Sequence, residues 1–266
     1  MCKVTVVIPN YNGEKYLVPC LASLYEETRA EIKVIVVDNG SKDDSLNRAI
    51  KLYPQTRIIR LDRNYGFCRA VNEGFRYAGS EYVILLNNDT EIEPDFALRL
   101  LTSIKKDRKR FSCQACMIQY HDHSKMDDAG DFYCVLGWGM ARGKGRPVEN
   151  YRSGQKIFSS CAGAAIYRKS LTERLGGFDE AHFAYLEDMD LSYRAKLAGY
   201  YHWYEPEAKV YHVGSGTSGS RYNHFKVVHS AGNNLYLIYK NMPLIQIIVN
   251  SPLLLAGFLI KYLFFV

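Results

Sequence analysis

The chain has 266 residues, of which 47% are hydrophobic, and it carries a formal net charge of +6. This length suits one large α/β domain with a sizeable core, with or without an appendage. The mild basic excess fits an anionic small molecule or an anionic membrane surface. Nucleic-acid binding is not expected, because no dense Lys/Arg stripe is interleaved with aromatic residues.

Predicted strands and helices alternate through the first 105 residues. Apolar runs predict strands at 4–8, 33–37, 56–61 and 82–86, and helical spacing predicts helices at 14–27, 43–52, 67–78 and 94–105. This alternation is typical of an α/β fold with a doubly wound, mostly parallel sheet and helices on both faces. No dinucleotide fingerprint follows the first strand, and no P-loop motif is present.

The pattern loosens beyond the fourth predicted strand and its helix. Residues 111–157 predict irregular strands and loops, followed by a helix at 187–197 and a strand at 209–213. Cys113 and Cys116 form a lone C-x-x-C without a second pair. We therefore interpret the cysteines as reduced thiols rather than as a zinc or redox site.

The C-terminal stretch 244–266 is almost entirely apolar, and Lys261 is its only charged residue. Its length is close to that of a membrane span, but Pro252 interrupts it and favours a kink. A membrane span and an interfacial helix both remain open, with a soluble core helix as a third alternative. No basic leader precedes the first strand, which predicts that there is no secretory signal.

Acidic or amide side chains recur where the predicted strands end. Asp38 follows the second strand, Asn64 the third, and Asn87-Asn88-Asp89 the fourth. Each could simply open a turn or a helix. Because such ends lie along one edge of a parallel sheet, where open α/β sheets bind ligands, their recurrence favours one shared site.

Seven motifs in a fixed order carry a family resemblance: VVIPNYNG (6–13), VVDNGSKDDS (36–45), NYGFCRAVNEG (64–74), LLNNDTEIEPD (85–95), CAGAAIYRKS (161–170), GGFDE (176–180) and YLEDMDLSYRAKLAGY (185–200). Together they resemble the nucleotide-sugar glycosyltransferases of family 2, which have the GT-A fold, and more narrowly their rhamnosyltransferase-like bacterial branch. The resemblance implies a GT-A domain at 1–219 with a nucleotide-sugar half (about 1–110) and an acceptor half (about 111–219), a helical connector at 220–242 and a hydrophobic membrane-associated segment at 243–266.

The resemblance also implies a donor pocket, formed by Pro9, Tyr11, Asp38, Asn64, Asn72, Asn87, Asn88 and Asp89. Asp38 resembles the carboxylate that accepts a hydrogen bond from a uracil or thymine base. The 87–89 stretch resembles a D-x-D element in which Asn87 replaces the first Asp, Asn88 contacts the ribose and Asp89 binds the metal. His212 resembles a late histidine that joins the metal or the diphosphate, and it is implied as a second metal residue beside Asp89. The implied cofactor is a divalent cation, Mg²⁺ or Mn²⁺, because these ions favour oxygen ligands and phosphate.

Glu187-Asp188 resembles the catalytic pair at the acceptor site. Asp188 matches the general base that removes a proton from the attacking hydroxyl, and Glu187 is implied in both catalysis and acceptor binding. Gly163 and Ala164 would leave room for the acceptor. From the residues alone, the alternative is an acidic first helical turn that favours the helix dipole.

The implied activity is that of an inverting glycosyltransferase. It would move a sugar from dTDP-rhamnose or a UDP-hexose to a hydroxyl of a lipid-linked or glycan acceptor during bacterial cell-surface polysaccharide synthesis. The implied location is the cytoplasmic face of the inner membrane, with peripheral or anchored attachment. One alternative is a nucleotidyltransferase that makes nucleotide sugars, although 9–13 lacks its basic glycine-rich loop. Another is a non-catalytic sugar-nucleotide-binding protein, which only Asn87 favours.

Overall fold

Ten strands form one mixed sheet in the computed structural model, which describes residues 4–27, 30–214 and 224–265. The strands are β1 (Val4–Asn10), β2 (Ile32–Asp38), β3 (Arg57–Arg60), β4 (Tyr82–Leu86), β5 (Thr90–Ile92), β6 (Arg110–Gln119), β7 (Met126–Asp128), β8 (Asp131–Tyr133), β9 (Gly139–Ala141), β10 (Gln155–Ile157), β11 (Ala164–Arg168) and β12 (Tyr201–His212). The helices are α1 (Leu17–Glu27), α2 (Ser45–Leu52), α3 (Phe67–Tyr77), α4 (Phe96–Lys105), α5 (Lys169–Arg174), α6 (Glu187–Leu197), α7 (His224–Asn241) and α8 (Leu244–Phe265).

The main path of the sheet runs β10-β12-β6-β11-β4-β1-β2-β3, with β5 paired to β12 and β7 to β6. Among β1 to β4, the neighbouring strands β4-β1, β1-β2 and β2-β3 are all parallel, and β12 is parallel to β6. Strand β11 runs antiparallel to both β4 and β6, so it joins the two parallel groups. The predicted mostly parallel α/β sheet is confirmed. A separate small sheet pairs β8 with β9.

Hydrophobic cores cover both faces of the sheet, because successive residues of a strand point to opposite sides. Val6 of β1 packs in one core with Leu21 of α1, and Val7 packs in the other with Val71 of α3 and Leu191 of α6. Burial on both faces explains why the strands read as continuous apolar runs in the sequence.

The prediction of irregular structure across 111–157 is wrong at its start, where β6 is a ten-residue strand in the middle of the sheet. Its apolar pattern is broken by buried polar residues that are paired inside the fold. Ser112 Oγ lies 2.7 Å from His202 Nδ1, and Gln114 donates to Asp128 at 2.8 Å. Strand β12 is also longer than predicted, since it already begins at Tyr201.

Two helices follow the sheet. The predicted connector at 220–242 is helical from His224 onward, whereas its first residues and the predicted boundary at 219 lie outside the described residues. Helix α8 has 22 residues and continues through Pro252. Its stretch Leu244–Leu263 is long and apolar enough to cross a membrane by length and composition alone, and little of it is buried against the rest of the protein.

Candidate active site

A cavity of about 850 Å³ lies at the carboxyl ends of β1, β2 and β4. Its lining includes Pro9, Tyr11, Asn64, Asn87, Asn88, Asp89, Gly163, Glu187, Asp188 and His212. The fold thus brings together predicted donor, metal, acceptor and catalytic residues from both halves of the chain. This edge is where open α/β sheets bind their ligands.

Three predicted site residues do not line this cavity: Asp38, Asn72 and Ala164. Asp38 is buried below it, and its Oδ1 accepts a hydrogen bond from Asn10 Nδ2 at 3.0 Å. The Asn72 amide donates to the carbonyl of Phe178 at 2.8 Å and accepts from its N–H at 3.0 Å. Asn72 therefore braces the GGFDE loop instead of contacting the donor pocket. Ala164 is fully buried at the start of β11, behind the cavity wall.

Two asparagines that the sequence analysis missed connect the strand ends. Asn10 donates to Asp38 and accepts from Asn88 Nδ2 at 2.8 Å. Asn39 donates from its Nδ2 to Asn64 Oδ1 at 2.9 Å. Both lie directly at strand ends, so the pattern that pointed to Asp38 and Asn64 also contained them. Their amides fix the polar floor of the cavity.

The predicted metal residues meet because β12 pairs with β5 and brings His212 opposite Thr90, next to Asp89. His212 Nε2 lies 3.3 Å from Asp89 Oδ1. Burial opposes a charge on the imidazole, but the hydrogen bonds and negative charges of Asp127 and Asp89 raise the pKa of His212 to about 9. The carboxylate oxygen of Asp89 is a ligand type that both Mn²⁺ and Mg²⁺ favour together with phosphate and water, and the added imidazole nitrogen suits Mn²⁺ better than Mg²⁺. The residues present therefore fit the expected cation.

Asp127 holds the other side of this histidine. Its Oδ2 lies 2.8 Å from His212 Nδ1, and its second oxygen pairs with Lys144. Asp127 lies 85 positions before His212 in the sequence. In the fold it is the carboxylate that orients the His212 imidazole, and carboxylates commonly hold metal-binding histidines in this way.

Glu187 and Asp188 begin α6 and face the cavity. The Asp188 carboxylate is oriented by two backbone donors, Ala162 N–H at 3.2 Å and Met189 N–H at 2.7 Å. Burial raises the pKa of Asp188, and burial together with the adjacent Asp188 charge raises the pKa of Glu187. Glu187 is 7% exposed and its Oε2 has no hydrogen-bond partner among the described residues. Burial of the pair therefore favours a protonated Glu187.

A second group of ligand-type side chains lies behind α6. Asp179, His182 and Asp190 offer atoms within 4.8 Å of one another. Lys240 Nζ, however, lies 2.5 Å from Asp179 and 2.9 Å from Asp190, and Arg194 lies 2.5 Å from Asp190. Because these cations already neutralise both carboxylates, we interpret the group as an ion-pair network that joins α6 to α7.

Comparison with known proteins shows the family and relatives of this chain. A family model described as glycosyl transferase family 2 matches residues 5–176. The chain is 29% identical over 240 residues to N-acetylglucosaminyl-diphospho-decaprenol L-rhamnosyltransferase of Mycobacterium tuberculosis, covering 80% of this chain and 77% of that protein. It is also 29% identical over 224 residues to the rhamnosyltransferase WbbL of Escherichia coli, covering 79% and 83%.

A solved structure shares the fold. The crystal structure of GalNAc-T7 with UDP, GalNAc and Mn²⁺ superposes with a TM-score of 0.71 at 16% identity. The match covers 90% of this chain but 48% of that longer chain, so this protein spans about half of its length. At this identity the match supports the architecture and says nothing about the substrate.

Proposed function

The chain belongs to glycosyl transferase family 2, and from this premise we propose that it transfers rhamnose or a hexose from a dTDP- or UDP-sugar to a hydroxyl of a lipid-linked or glycan acceptor. The predicted family, GT-A fold and enzyme class, a glycosyltransferase, are confirmed. Two relatives named as rhamnosyltransferases favour rhamnose as the sugar. The name of the mycobacterial relative favours an N-acetylglucosaminyl-diphospho-lipid as the acceptor.

The observation that carries this proposal is the convergence of Asp89, His212 and Asp188 on one cavity. Asp89 and His212 would hold the divalent cation. When bound, this cation supplies positive charge that stabilises the nucleoside diphosphate leaving group. Asp188 accepts the proton of the acceptor hydroxyl as that oxygen attacks the anomeric carbon. Attack from the face opposite the diphosphate inverts the anomeric configuration.

Donor binding is assigned to the polar floor of the cavity. The predicted donor-binding residues that line the cavity keep this proposed role: Pro9, Tyr11, Asn64, Asn87 and Asn88. For Asp38 we keep the proposal that it accepts the base N–H, because each carboxylate oxygen can accept a second hydrogen bond beside the ones present. Asn72 is not included, since its amide is bonded to the backbone of Phe178.

The acceptor is proposed to enter at the aromatic side of the cavity. Phe183, Tyr185 and Phe225 line it there, and Phe183 and Phe225 lie edge to face with centroids 6.1 Å apart. Aromatic rings suit the apolar face of a sugar or a lipid chain. Gly163 also lines the cavity, and a Cβ there would lie 3.0 Å from Asn87 Nδ2, so a larger side chain would require Asn87 to move. A protonated Glu187 would donate a hydrogen bond to the acceptor.

We place α8 in the membrane interface rather than across the bilayer. Gln246 near its start accepts a hydrogen bond from Tyr193 at 3.2 Å, and Lys261 near its end lies 5.4 Å from the Trp138 ring. These contacts are about 22 Å apart along the helix, so one face of α8 packs along the catalytic domain. The opposite face exposes Leu244, Ile245, Ile248, Val249, Leu255, Leu259 and Leu263. A docked helix with one exposed apolar face suits an interfacial position, on the cytoplasmic side where nucleotide sugars would be supplied.

A nucleotide screen tests the donor site. Purified protein is heated with UDP, dTDP, GDP or CDP, each with Mn²⁺ or with EDTA. A ligand that binds only the folded state raises the melting temperature by mass action. We expect a Mn²⁺-dependent rise with dTDP or UDP that the Asp89→Ala variant loses. If folded wild-type protein shows no rise with any nucleotide, the donor-site assignment fails.

A further inference from the structure

The loop that leads into the catalytic pair has a strained backbone. Phe183, Tyr185 and Leu186 have φ angles of 55°, 72° and 64°. The left-handed region costs a residue with a side chain roughly 1–2 kcal/mol, and such backbone persists only where its surroundings hold it. This loop (residues 183–186) leads directly into Glu187, so its conformation sets where α6 and the catalytic pair begin.

One side chain of α7 donates hydrogen bonds to several backbone carbonyls of this segment. Asn233 Nδ2 lies 2.8 Å from each of the backbone oxygens of His182, Ala184 and Tyr185. A side-chain amide has two hydrogens, so three acceptors share two donors at this position. Asn233 is 8% exposed, which leaves little access for water to replace it. The amide is therefore a central support of the strained loop.

The same loop also contacts the donor side of the cavity. The Phe183 carbonyl accepts a hydrogen bond from Phe67 N–H at 2.7 Å. Next to it, Gly66 is packed so closely that a Cβ would lie 2.6 Å from that carbonyl oxygen. Gly66 and Phe67 both line the cavity. This contact does not involve Asn233, and it anchors the start of the loop beside the donor side of the cavity.

We propose that Asn233 is a positioning residue for sugar transfer. By holding three backbone carbonyls it fixes the loop so that Asp188 faces the acceptor hydroxyl. This inference rests on the proposed role of Asp188 as the base. It gives the buried side of α7, which lies beyond the residues 5–176 matched by the family model, a role in placing the base. Since α8 begins three residues after α7 ends, the interfacial helix and the catalytic loop share one support.

The test compares three variants. Asn233→Leu keeps the size of the side chain and removes the donors, and Asn233→Gln keeps an amide. Ile238→Ala is the matched control, because Ile238 lies on the same helix and packs with Met242 and Leu254 instead of the loop. Transfer is measured from dTDP-L-rhamnose to a synthetic N-acetylglucosaminyl-diphospho-lipid, below the melting temperature of every variant. Backbone hydrogen exchange of residues 183–189 is measured in parallel.

We expect Asn233→Leu to lower kcat by about 10–100-fold, because small displacements of reacting groups have effects of this size. The KM for the donor should change less than about 3-fold, exchange at 183–189 should accelerate, and Asn233→Gln should retain more activity. Ile238→Ala should melt earlier yet keep both kcat and loop protection. Equal kcat and equal exchange in Asn233→Leu and wild type would overturn the proposal. Inactive wild type would instead count against the proposed function, and the exchange comparison would still decide whether Asn233 holds the loop.

Discussion

His212 is held between two carboxylates: its Nδ1 lies 2.8 Å from Asp127 Oδ2, and its Nε2 faces Asp89. Burial alone would raise the pKa of Asp127, but His212 and Lys144 hold that pKa below its usual value. The ionised Asp127 therefore fixes the ring and leaves Nε2 directed toward the proposed cation site. A carboxylate behind a histidine in this way commonly supports metal binding.

Removing this support should weaken the metal site. We expect Asp127→Asn to lower the affinity for Mn²⁺ by about 10–100-fold, the usual effect of losing such a partner. Calorimetric titration with Mn²⁺ in the presence of UDP measures it. Asp122→Asn is the control, because Asp122 is a nearby carboxylate that bonds to Ser124. If Asp127→Asn binds Mn²⁺ as tightly as wild type and Asp122→Asn do, Asp127 does not support metal binding by His212.

Metal affinity should also depend on pH. A metal must displace the proton of His212, whose pKa without metal is raised to about 9. Apparent Mn²⁺ affinity should therefore rise as the pH increases from 6 toward 9, with proton release on binding. In His212→Gln this dependence should be lost along with most of the affinity. A flat affinity profile for wild type across this range would exclude His212 as a ligand.

Glu187 should behave differently from its neighbour Asp188. Burial and the Asp188 charge raise the pKa of Glu187 from 4.5 to about 8, so the folded state binds this proton more tightly than the unfolded state. The stabilising effect of that proton is complete below pH 4.5 and is lost as the pH rises through about 8. Glu187→Gln does not titrate, so its free energy of unfolding should exceed that of wild type by a margin that grows across this window.

Urea unfolding of wild type and Glu187→Gln at pH 5, 7 and 8.5 measures this margin. At neutral pH we expect roughly 1–3 kcal/mol, since one pKa unit corresponds to about 1.4 kcal/mol. Transfer activity should fall less than about 10-fold, because Gln also donates a hydrogen bond to the acceptor. A margin that stays constant with pH would show that Glu187 is already ionised in the folded protein.

The exposed face of α8 should bind membranes. Ile248 and Leu255 are 62% and 63% exposed there, and each buried apolar side chain contributes about 1.5–3 kcal/mol. Replacing both by Glu should abolish co-sedimentation with vesicles of phosphatidylglycerol and phosphatidylethanolamine. Leu52→Glu is the control, because Leu52 is an exposed leucine of α2.

The position of α8 can be separated from its affinity for lipid. An interfacial helix should be released from vesicles by alkaline carbonate, whereas a helix that spans the bilayer should stay with the membrane. We expect wild-type protein in the released fraction. Retention in the membrane fraction after carbonate treatment would favour a helix that spans the bilayer. If the double variant binds vesicles as well as wild type does, the exposed face of α8 is not the surface that binds the membrane.

The parallel half of the fold was predictable because its strands are buried on both faces and therefore form unbroken apolar runs. The same logic located the ligand edge, since Asp38, Asn64 and Asp89 follow these strands directly. β6 was not predicted as a regular strand, because Ser112 and Gln114 interrupt its run of apolar residues. Both polar side chains are stabilised by cross-strand hydrogen bonds, which the periodicity of the sequence does not reveal.

The roles of individual site residues depended on tertiary contacts. Asn72 matches a donor-pocket motif, yet its side-chain amide is hydrogen-bonded to the backbone of Phe178 in the loop that packs against it. Asp127 and Asn233 lie far in sequence from His212 and Asp188, and no spacing connects them. Their positions follow from how β12 crosses the sheet and how α7 packs on α6, which only the three-dimensional arrangement shows.

The role of Asp188 as the base is tested most directly by rhamnose transfer from dTDP-L-rhamnose to a synthetic N-acetylglucosaminyl-diphospho-lipid, with wild type and Asp188→Asn compared and dTDP binding measured on the same samples. We expect Asp188→Asn to lose about 10²–10⁴-fold in kcat, the usual contribution of a general base, while its dTDP affinity changes less than about 3-fold. An Asp188→Asn variant that turns over at the wild-type rate would contradict this role.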